Sequence, residues 1–254
     1  MQELFYSRIG EGRPVVFLHG FLEDHTIWSD YAQQLSKKYQ IVTYDLPGFG
    51  KSPLPSEKAF TISDIATQIN QSLLKAGLHD ITIIGHSLGG YVALAMVEQQ
   101  PHLFHSLCLF HSTALADSPE KKESRTKTID FVAKNGALAF TSNFVAPLFA
   151  DPHHPAVPKV TALAIQTSVA TISAYLAAMR DRPDRTSVVK HFIGAVLFIA
   201  GERDSIIPAP SLAQQAGTSD TTTIRIIEGI GHMGMFEAPA LCLEIIEDFL
   251  SFKP

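Results

Sequence analysis

The chain has 254 residues, of which 46% are hydrophobic. This is enough to form a large buried core in one domain or in one domain that carries an insertion. Its formal net charge of -5 is spread along the chain without a basic stripe, which argues against nucleic acid or an anionic membrane surface as a partner. We therefore expect small-molecule chemistry.

The N-terminal stretch "MQELFYSRIGEGRP" has no basic segment followed by an apolar one, and the longest apolar runs have only the length of strands. These features predict a cytoplasmic protein that does not span a membrane. Cys108 lies in a strand pattern and Cys242 in a helix pattern, so we expect two buried thiols rather than a disulfide.

Short apolar runs alternate with amphipathic stretches in the first part of the chain, which is the pattern of βαβ units. In chain order they are "PVVFLHG", a helix near 27–37, "YQIVTYD", a helix near 62–76, "DITIIG", a helix over 88–100 and a strand over 106–110. The pattern returns with "AVLFIAG", "TTIRIIEG" and a closing helix over 239–252. It predicts an α/β fold whose doubly wound sheet is mostly parallel.

Residues 112–190 interrupt this alternation, because they show only helical periodicity broken by prolines. We predict an all-helical cap, or lid, inserted into a core domain made of residues 1–111 and 191–254. Lids commonly carry specificity, and Phe144 and Phe149 are candidates for an apolar substrate pocket. Arg125 falls on a partly inward helix face, where it would meet a substrate carboxylate or, as we favour, an acidic neighbour within the cap.

The segment "ITIIGHSLGGY" places Ser87 between a buried strand and a helix, with Gly85 and Gly89 on either side. A side chain at such a corner has strained dihedral angles, and flanking glycines remove the Cβ atoms that would collide there. The corner exposes the hydroxyl at a helix N-terminus, which favours a developing anion. This arrangement indicates a nucleophile elbow rather than a tight turn with an incidental serine.

A serine hydroxyl needs a base, and the base needs a carboxylate that orients it. Asp204 and His232 each follow a predicted strand, so both should lie with Ser87 at the carboxyl edge of the sheet. Taken alone, Asp204 could be a helix cap and His232 a loop histidine bonded to backbone. Their joint placement favours a catalytic triad, with Asp117 as the alternative acid.

The remaining part of such a site is an oxyanion hole made of backbone amides. The stretch "VVFLHGFLED" and the elbow supply them, and we assign the amides of Phe21 and Leu88 as donors. His19 and Gly20 would shape the turn, or would simply end a strand. His111, at the end of a predicted strand, is a further candidate for lining the pocket.

Two tempting motifs are set aside. "DLPGFGKS" resembles the end of a phosphate-binding loop, but Asp45 stands where that pattern needs its first glycine. His153 and His154 lie between prolines with one acidic neighbour, which favours a solvated loop over a metal site. We expect no cofactor and no metal.

Taken together, "LHGF", "YDLPGFGKS", "GHSLGGY", "GERDSIIP" and "GIGHMGMFEAP" resemble the α/β-hydrolase fold superfamily over essentially the whole chain. The resemblance implies a sheet of about eight strands, a helical cap between the sixth and seventh of them, and a triad of Ser87, Asp204 and His232. It is closest to serine esterases and lipases, because the dehalogenases and epoxide hydrolases of this fold have an aspartate at the elbow.

The resulting hypothesis is a serine hydrolase that cleaves a small, largely apolar ester through an acyl-enzyme. One alternative is a cofactor-free C–C hydrolase or a lyase like that of menaquinone biosynthesis, which typically has an arginine where this chain has Tyr91. The other is a ligand receptor that keeps the triad with little turnover. The expected partner is a small-molecule substrate, and the oligomeric state is left open.

Overall fold

The computed structural model describes residues 3–55, 60–217 and 219–251. Its described residues form one seven-stranded sheet in the order β1-β3-β2-β4-β5-β6-β7. The strands are β1 Tyr6–Ile9, β2 Pro14–Leu18, β3 Gln40–Tyr44, β4 Ile81–His86, β5 Phe104–Phe110, β6 Ala195–Gly201 and β7 Thr222–Ile227. Only β1 is antiparallel, to its neighbour β3, and all other pairs are parallel. The predicted α/β fold with a mostly parallel sheet is therefore confirmed.

The helices lie between and after these strands. They are α1 Ser29–Leu35, α2 Ile62–Lys75, α3 Leu88–Gln99, α4 Pro119–Asn135, α5 Ala137–Phe144, α6 Val157–Ala164, α7 Val169–Arg180, α8 Thr186–His191, α9 Ala209–Ala216, α10 Gly234–Glu237 and α11 Pro239–Ser251. Short 3₁₀ turns cover His25–Trp28, Pro101–Leu103 and Ala146–Leu148. The predicted end of the closing helix at residue 252 lies outside the described residues.

Sequence determines several of these elements directly. The six residues of β4 are all buried, as expected for a central parallel strand that is covered on both faces. Helix α2 begins with a capping box, in which the Thr61 and Asp64 side chains each accept a hydrogen bond from the other's backbone amide. Its apolar residues recur at helical spacing and face the core.

The strand count and the position of the insertion differ from the expectation. The described residues contain seven strands rather than about eight, and helices α4 to α8 lie between the fifth and sixth strands of the sheet. The insertion therefore has one strand fewer before it than the resemblance implies. Helix α8 ends at His191, one residue beyond the predicted limit of the cap.

In the described ranges no single helix is long and apolar enough to cross a bilayer, and α6 and α7 reach the required length and composition only as a pair bent by 99°.

Candidate active site

Ser87 occupies a strained corner between β4 and α3. Its backbone angles are φ 48° and ψ -111°, outside the regions that a serine ordinarily adopts. A Cβ atom on Gly85 would lie 2.4 Å from the backbone of Gly89, and one on Gly89 would lie 2.5 Å from the carbonyl oxygen of Leu18. The spacing of glycines around Ser87 is thus required by the close approach of three backbone segments.

Two hydrogen bonds hold this corner in place. The Ser87 amide donates to the Phe110 carbonyl at 3.0 Å, and the Ser112 hydroxyl donates to the Ser87 carbonyl at 2.7 Å. The corner is therefore fixed to the end of β5, its neighbour in the sheet. Within the described part of the chain, the Ser87 hydroxyl has no hydrogen-bond partner, and it faces a cavity that His232 also lines.

Asp204 and His232 meet at the same edge of the sheet, in the loops that follow β6 and β7. The Nδ1 atom of His232 donates to Oδ2 of Asp204 at 2.7 Å, and both side chains are buried. The other carboxylate oxygen accepts from the amides of Ile206 and Ile207, each at 2.9 Å. Burial alone would raise the pKa of Asp204, but the neighbouring His232 and His111, through their charge interactions and hydrogen bonds with the carboxylate, hold it well below its usual range.

His111 makes a second contact with the same carboxylate oxygen. Its Nδ1 atom lies 3.2 Å from Oδ2 of Asp204, and its side chain is completely buried behind the acid. Burial lowers the pKa of His111 to about 4, so it is a neutral hydrogen-bond donor at ordinary pH. The sequence suggested that His111 lines the pocket, but the structure places it against Asp204 and outside the set of residues that line the cavity.

A buried ion pair joins the early loop to the elbow. His86 donates from Nδ1 to Oε2 of Glu23 at 3.0 Å and from Nε2 to the carbonyl of His232 at 3.1 Å. Although burial opposes the charge, Glu23 raises the pKa of His86. The same Glu23 oxygen accepts from the amide of Gly20 at 2.6 Å. His86 and Glu23 therefore connect three loops around Ser87.

The two amides assigned to the oxyanion hole are unused donors. The amides of Phe21 and Leu88 have no hydrogen-bond acceptor among the residues that the structure describes. The adjacent amide of Gly20 is already bound to Glu23, and Leu88 is the first residue of α3. Phe21 lines the cavity at Ser87, and Leu88 directly follows Ser87 in the chain, so both free amides belong to residues next to the cavity.

The cavity beside Ser87 has a volume of about 240 Å³ and two unlike walls. The apolar wall consists of Phe21, Phe140, Phe144, Leu148, Leu176 and Met179. The polar wall consists of Lys121, Ser124, Arg125 and Thr128, all from α4. The pocket predicted from the sequence included Arg125 but none of the other polar residues of α4. Lys121, Ser124 and Thr128 are therefore additions to it.

The predicted pocket residues have different positions. Phe144 lines the cavity and packs edge-on against Phe21, with ring centroids 5.7 Å apart. Phe149 is absent from the lining, because its ring stacks on His154 with centroids 5.1 Å apart. Its assignment to the pocket is therefore corrected. Arg125 lines the cavity and also forms the expected ion pair, from Nε to Oδ2 of Asp117 at 2.5 Å.

Glu237 is a further residue that sequence reasoning missed. Its carboxylate accepts from the amides of Gly231 and Met233 on either side of His232, and from that of Ala150 in the inserted helical segment. It thereby fixes the backbone that carries His232. No spacing signal pointed to it, since its role depends on how the loop after β7 turns.

Two groups of metal-ligand types occur among the described residues. In the first, His111 and His232 both direct Nδ1 at Asp204. In the second, Asp45 accepts from the backbone and side chain of His25, and Asp24 caps the adjacent 3₁₀ turn. The histidine nitrogens are thus hydrogen-bonded to Asp204 or Asp45, and Asp24 is hydrogen-bonded to Thr26.

Comparison with known proteins defines the family. Residues 13–239 match the alpha/beta hydrolase fold family, and the chain belongs to it. A thermophilic esterase from Thermogutta terrifontis, solved with malate bound, superposes with a TM-score of 0.91 at 26% identity, over 97% of this chain and 92% of that one.

Two further proteins are similar to this chain. The esterase of Exiguobacterium antarcticum has a TM-score of 0.89 at 20% identity, with 98% of this chain and 96% of that one covered. A pimeloyl-[acyl-carrier protein] methyl ester esterase from Aeromonas salmonicida is 39% identical over 101 residues, which are 40% of this chain and 38% of the relative. These similarities support a hydrolase activity without defining the substrate.

Proposed function

We propose that this protein is a serine hydrolase that cleaves carboxylic esters through an acyl-enzyme, with Ser87 as nucleophile, His232 as base and Asp204 as the orienting acid. The observation that carries the proposal is the strained, cavity-facing Ser87 beside a histidine whose Nδ1 is bound to a buried carboxylate. Asp117, the alternative acid, contacts Arg125 and Arg182 instead of a histidine.

The proposed reaction follows from which atoms are free. With Nδ1 donating to Asp204, the neutral His232 has its lone pair on Nε2 and can take the Ser87 proton. The serine oxygen then bonds to the ester carbonyl carbon, and the amides of Phe21 and Leu88 stabilise the negative oxygen. His232 returns the proton to the departing alcohol. Water next attacks the acyl-enzyme with the same base, which releases the acid and restores Ser87.

Among the described residues, Ser87 and His232 do not form a hydrogen bond with each other. This is compatible with their proposed roles as nucleophile and base. Hydrogen bonds between catalytic groups are often long in unliganded enzymes and tighten when substrate binds. The two side chains line one cavity.

The substrate we propose has an alkyl or aryl portion that packs against the apolar wall around Phe140 and Phe144. We further propose that residues 112–190 act as a cap, because α4, α5 and α7 all contribute side chains to the cavity. The esterase relatives support the same reaction class.

The test combines covalent labelling with turnover. Wild-type protein and Ser87→Ala are treated with a fluorophosphonate, their intact masses are measured, and the wild type is assayed on p-nitrophenyl esters of increasing acyl length. We expect a mass increase only in the wild type, together with steady hydrolysis. Labelling without turnover would favour the receptor or the lyase, and an unlabelled wild type would contradict the proposed nucleophile.

His111 should tune this chemistry through Asp204. Replacing it in His111→Leu removes one of two hydrogen bonds from Oδ2 and leaves more negative charge to stabilise a protonated His232. A bond to a charged group is worth about 1.5–3 kcal/mol. The acidic limb of the pH profile of kcat/KM should therefore move to higher pH, by at most about one to two units.

The comparison variant is His105→Leu, which lies on β5, the strand that ends just before His111, and is paired with the exposed Asp80. It should keep the wild-type profile. Both variants keep the ion pair between His86 and Glu23. They also keep the hydrogen bond from Lys121 to the carbonyl of Ile206. An unchanged acidic limb in His111→Leu would show that this histidine only fills space.

A further inference from the structure

One face of α4 brings four polar side chains to the cavity. Lys121, Ser124, Arg125 and Thr128 are spaced at i, i+3, i+4 and i+7, so they form a single stripe along the helix. We call these four residues the α4 polar face. They line the same cavity as Ser87 and His232, and two of them are cations.

The charges around this face do not balance. Asp117 is shared, since its Oδ2 atom accepts from Arg125 at 2.5 Å and its Oδ1 atom from Arg182 at 2.8 Å. Lys121 contacts no carboxylate among the described residues, and its only bond there is to the carbonyl of Ile206 at 3.3 Å. Three cations thus surround a single acid.

Other acids near the cavity are already committed. Glu23 lines it but is paired with His86, and Asp204 is held by His111 and His232. Burial, and then the positive charge of Arg125, lower the pKa of Lys121. An added anion would relieve that repulsion.

The two arginines that contact Asp117, Arg125 and Arg182, differ in how many of their N–H donors are already hydrogen-bonded. Arg182 donates three hydrogen bonds, to Asp117 and to the carbonyls of Met179 and Leu115, and it stacks over the ring of Tyr91. Arg125 uses only Nε, so in the described structure its two terminal nitrogens have no acceptor. A guanidinium edge of this kind matches the two oxygens of a carboxylate.

Resting on the proposed function, we propose that the α4 polar face binds a carboxylate group carried by the ester substrate. Lys121 and Arg125 would supply the charge, while the hydroxyls of Ser124 and Thr128 are additional donors. The substrate is then an ester with an apolar portion against the aromatic wall and an acidic group against α4. This deepens the proposed function, because a neutral ester would leave the excess positive charge uncompensated.

The test compares esters that differ by one carboxylate. The first pair, mono-p-nitrophenyl glutarate and p-nitrophenyl pentanoate, places it on the acyl part. The second pair, 4-acetoxybenzoate and its methyl ester, places it on the leaving alcohol. The measured quantity is the ratio of kcat/KM for the acidic ester to that for its neutral partner.

We expect this ratio to fall by about tenfold to a hundredfold in Lys121→Gln/Arg125→Gln for at least one pair, as charge-assisted hydrogen bonds are lost. Arg125→Lys, which keeps the charge but loses the paired guanidinium donors, should lower the ratio by less than the double variant does. Lys122→Gln, an exposed neighbour on α4, serves as the matched control and should leave the ratio unchanged. Added KCl should lower the wild-type ratio, because these charges are partly exposed.

The two proposals fail differently. Hydrolysis of all four esters that depends on Ser87, with the same ratios in the wild type and in the double variant, would overturn the α4 subsite and leave the serine hydrolase intact. No Ser87-dependent hydrolysis of any ester would instead overturn the proposed function. Fluorophosphonate labelling of the double variant shows whether its site is assembled.

Discussion

Ser87→Ala is expected to lower kcat/KM on a p-nitrophenyl ester by up to about 10⁶-fold, the scale measured when a triad member is removed from a serine protease. The hydroxyl is the only group at the elbow that can form the acyl-enzyme in the proposed reaction. The backbone should persist, because the elbow is held by main-chain contacts and by Ser112 rather than by the Ser87 side chain.

His232→Ala should cause a loss of similar size, and the double variant should be little worse than either single one, since the two groups act as a unit. Ser187→Ala removes an exposed hydroxyl from α8 and should match the wild type. If Ser87→Ala retained activity within tenfold of the wild type, the acyl-enzyme mechanism would be wrong.

Asp204→Asn is expected to reduce turnover by about 10⁴-fold with little change in structure. Its amide oxygen can still accept from the amides of Ile206 and Ile207, which turns the NH₂ group toward His232. His232 must then accept at Nδ1, so its proton moves to Nε2 and the lone pair needed by Ser87 is lost. This tautomer cannot act as the base.

The matched variant is Asp80→Asn, which removes an exposed carboxylate paired with His105 and should behave as the wild type. The measurement is kcat on a p-nitrophenyl ester, with thermal unfolding to check that both proteins are folded. A fully active Asp204→Asn would transfer the role of the acid to another carboxylate, with Asp117 the first to be tested.

The elbow and the sheet were predictable because they depend on local spacing. The buried run of β4, the flanking glycines and the apolar stripe of α3 each have a periodicity that indicates one element. Asp204 and His232 could be paired in advance because parallel strands bring their carboxyl ends to one edge. The structure gives that pairing a distance of 2.7 Å.

Features that depend on loop conformation were not predictable. Glu23 and Glu237 each bind amides several residues away or in another segment, and neither has a spacing signal. Strand β1 was missed because it is a short, largely exposed edge strand. Phe149 was misplaced because helical periodicity indicates an inward face without saying which neighbour that face contacts.

The link that Glu23 and His86 make between the early loop, the elbow and the His232 loop has a consequence for engineering. Grafting any one of these loops from a relative would separate a buried carboxylate from its buried imidazolium, and an unpaired charge in such a place is strongly destabilising. The three loops therefore form one transplantable unit. Libraries that vary the substrate range would better be built on the inserted helices, which can change while that unit is inherited whole.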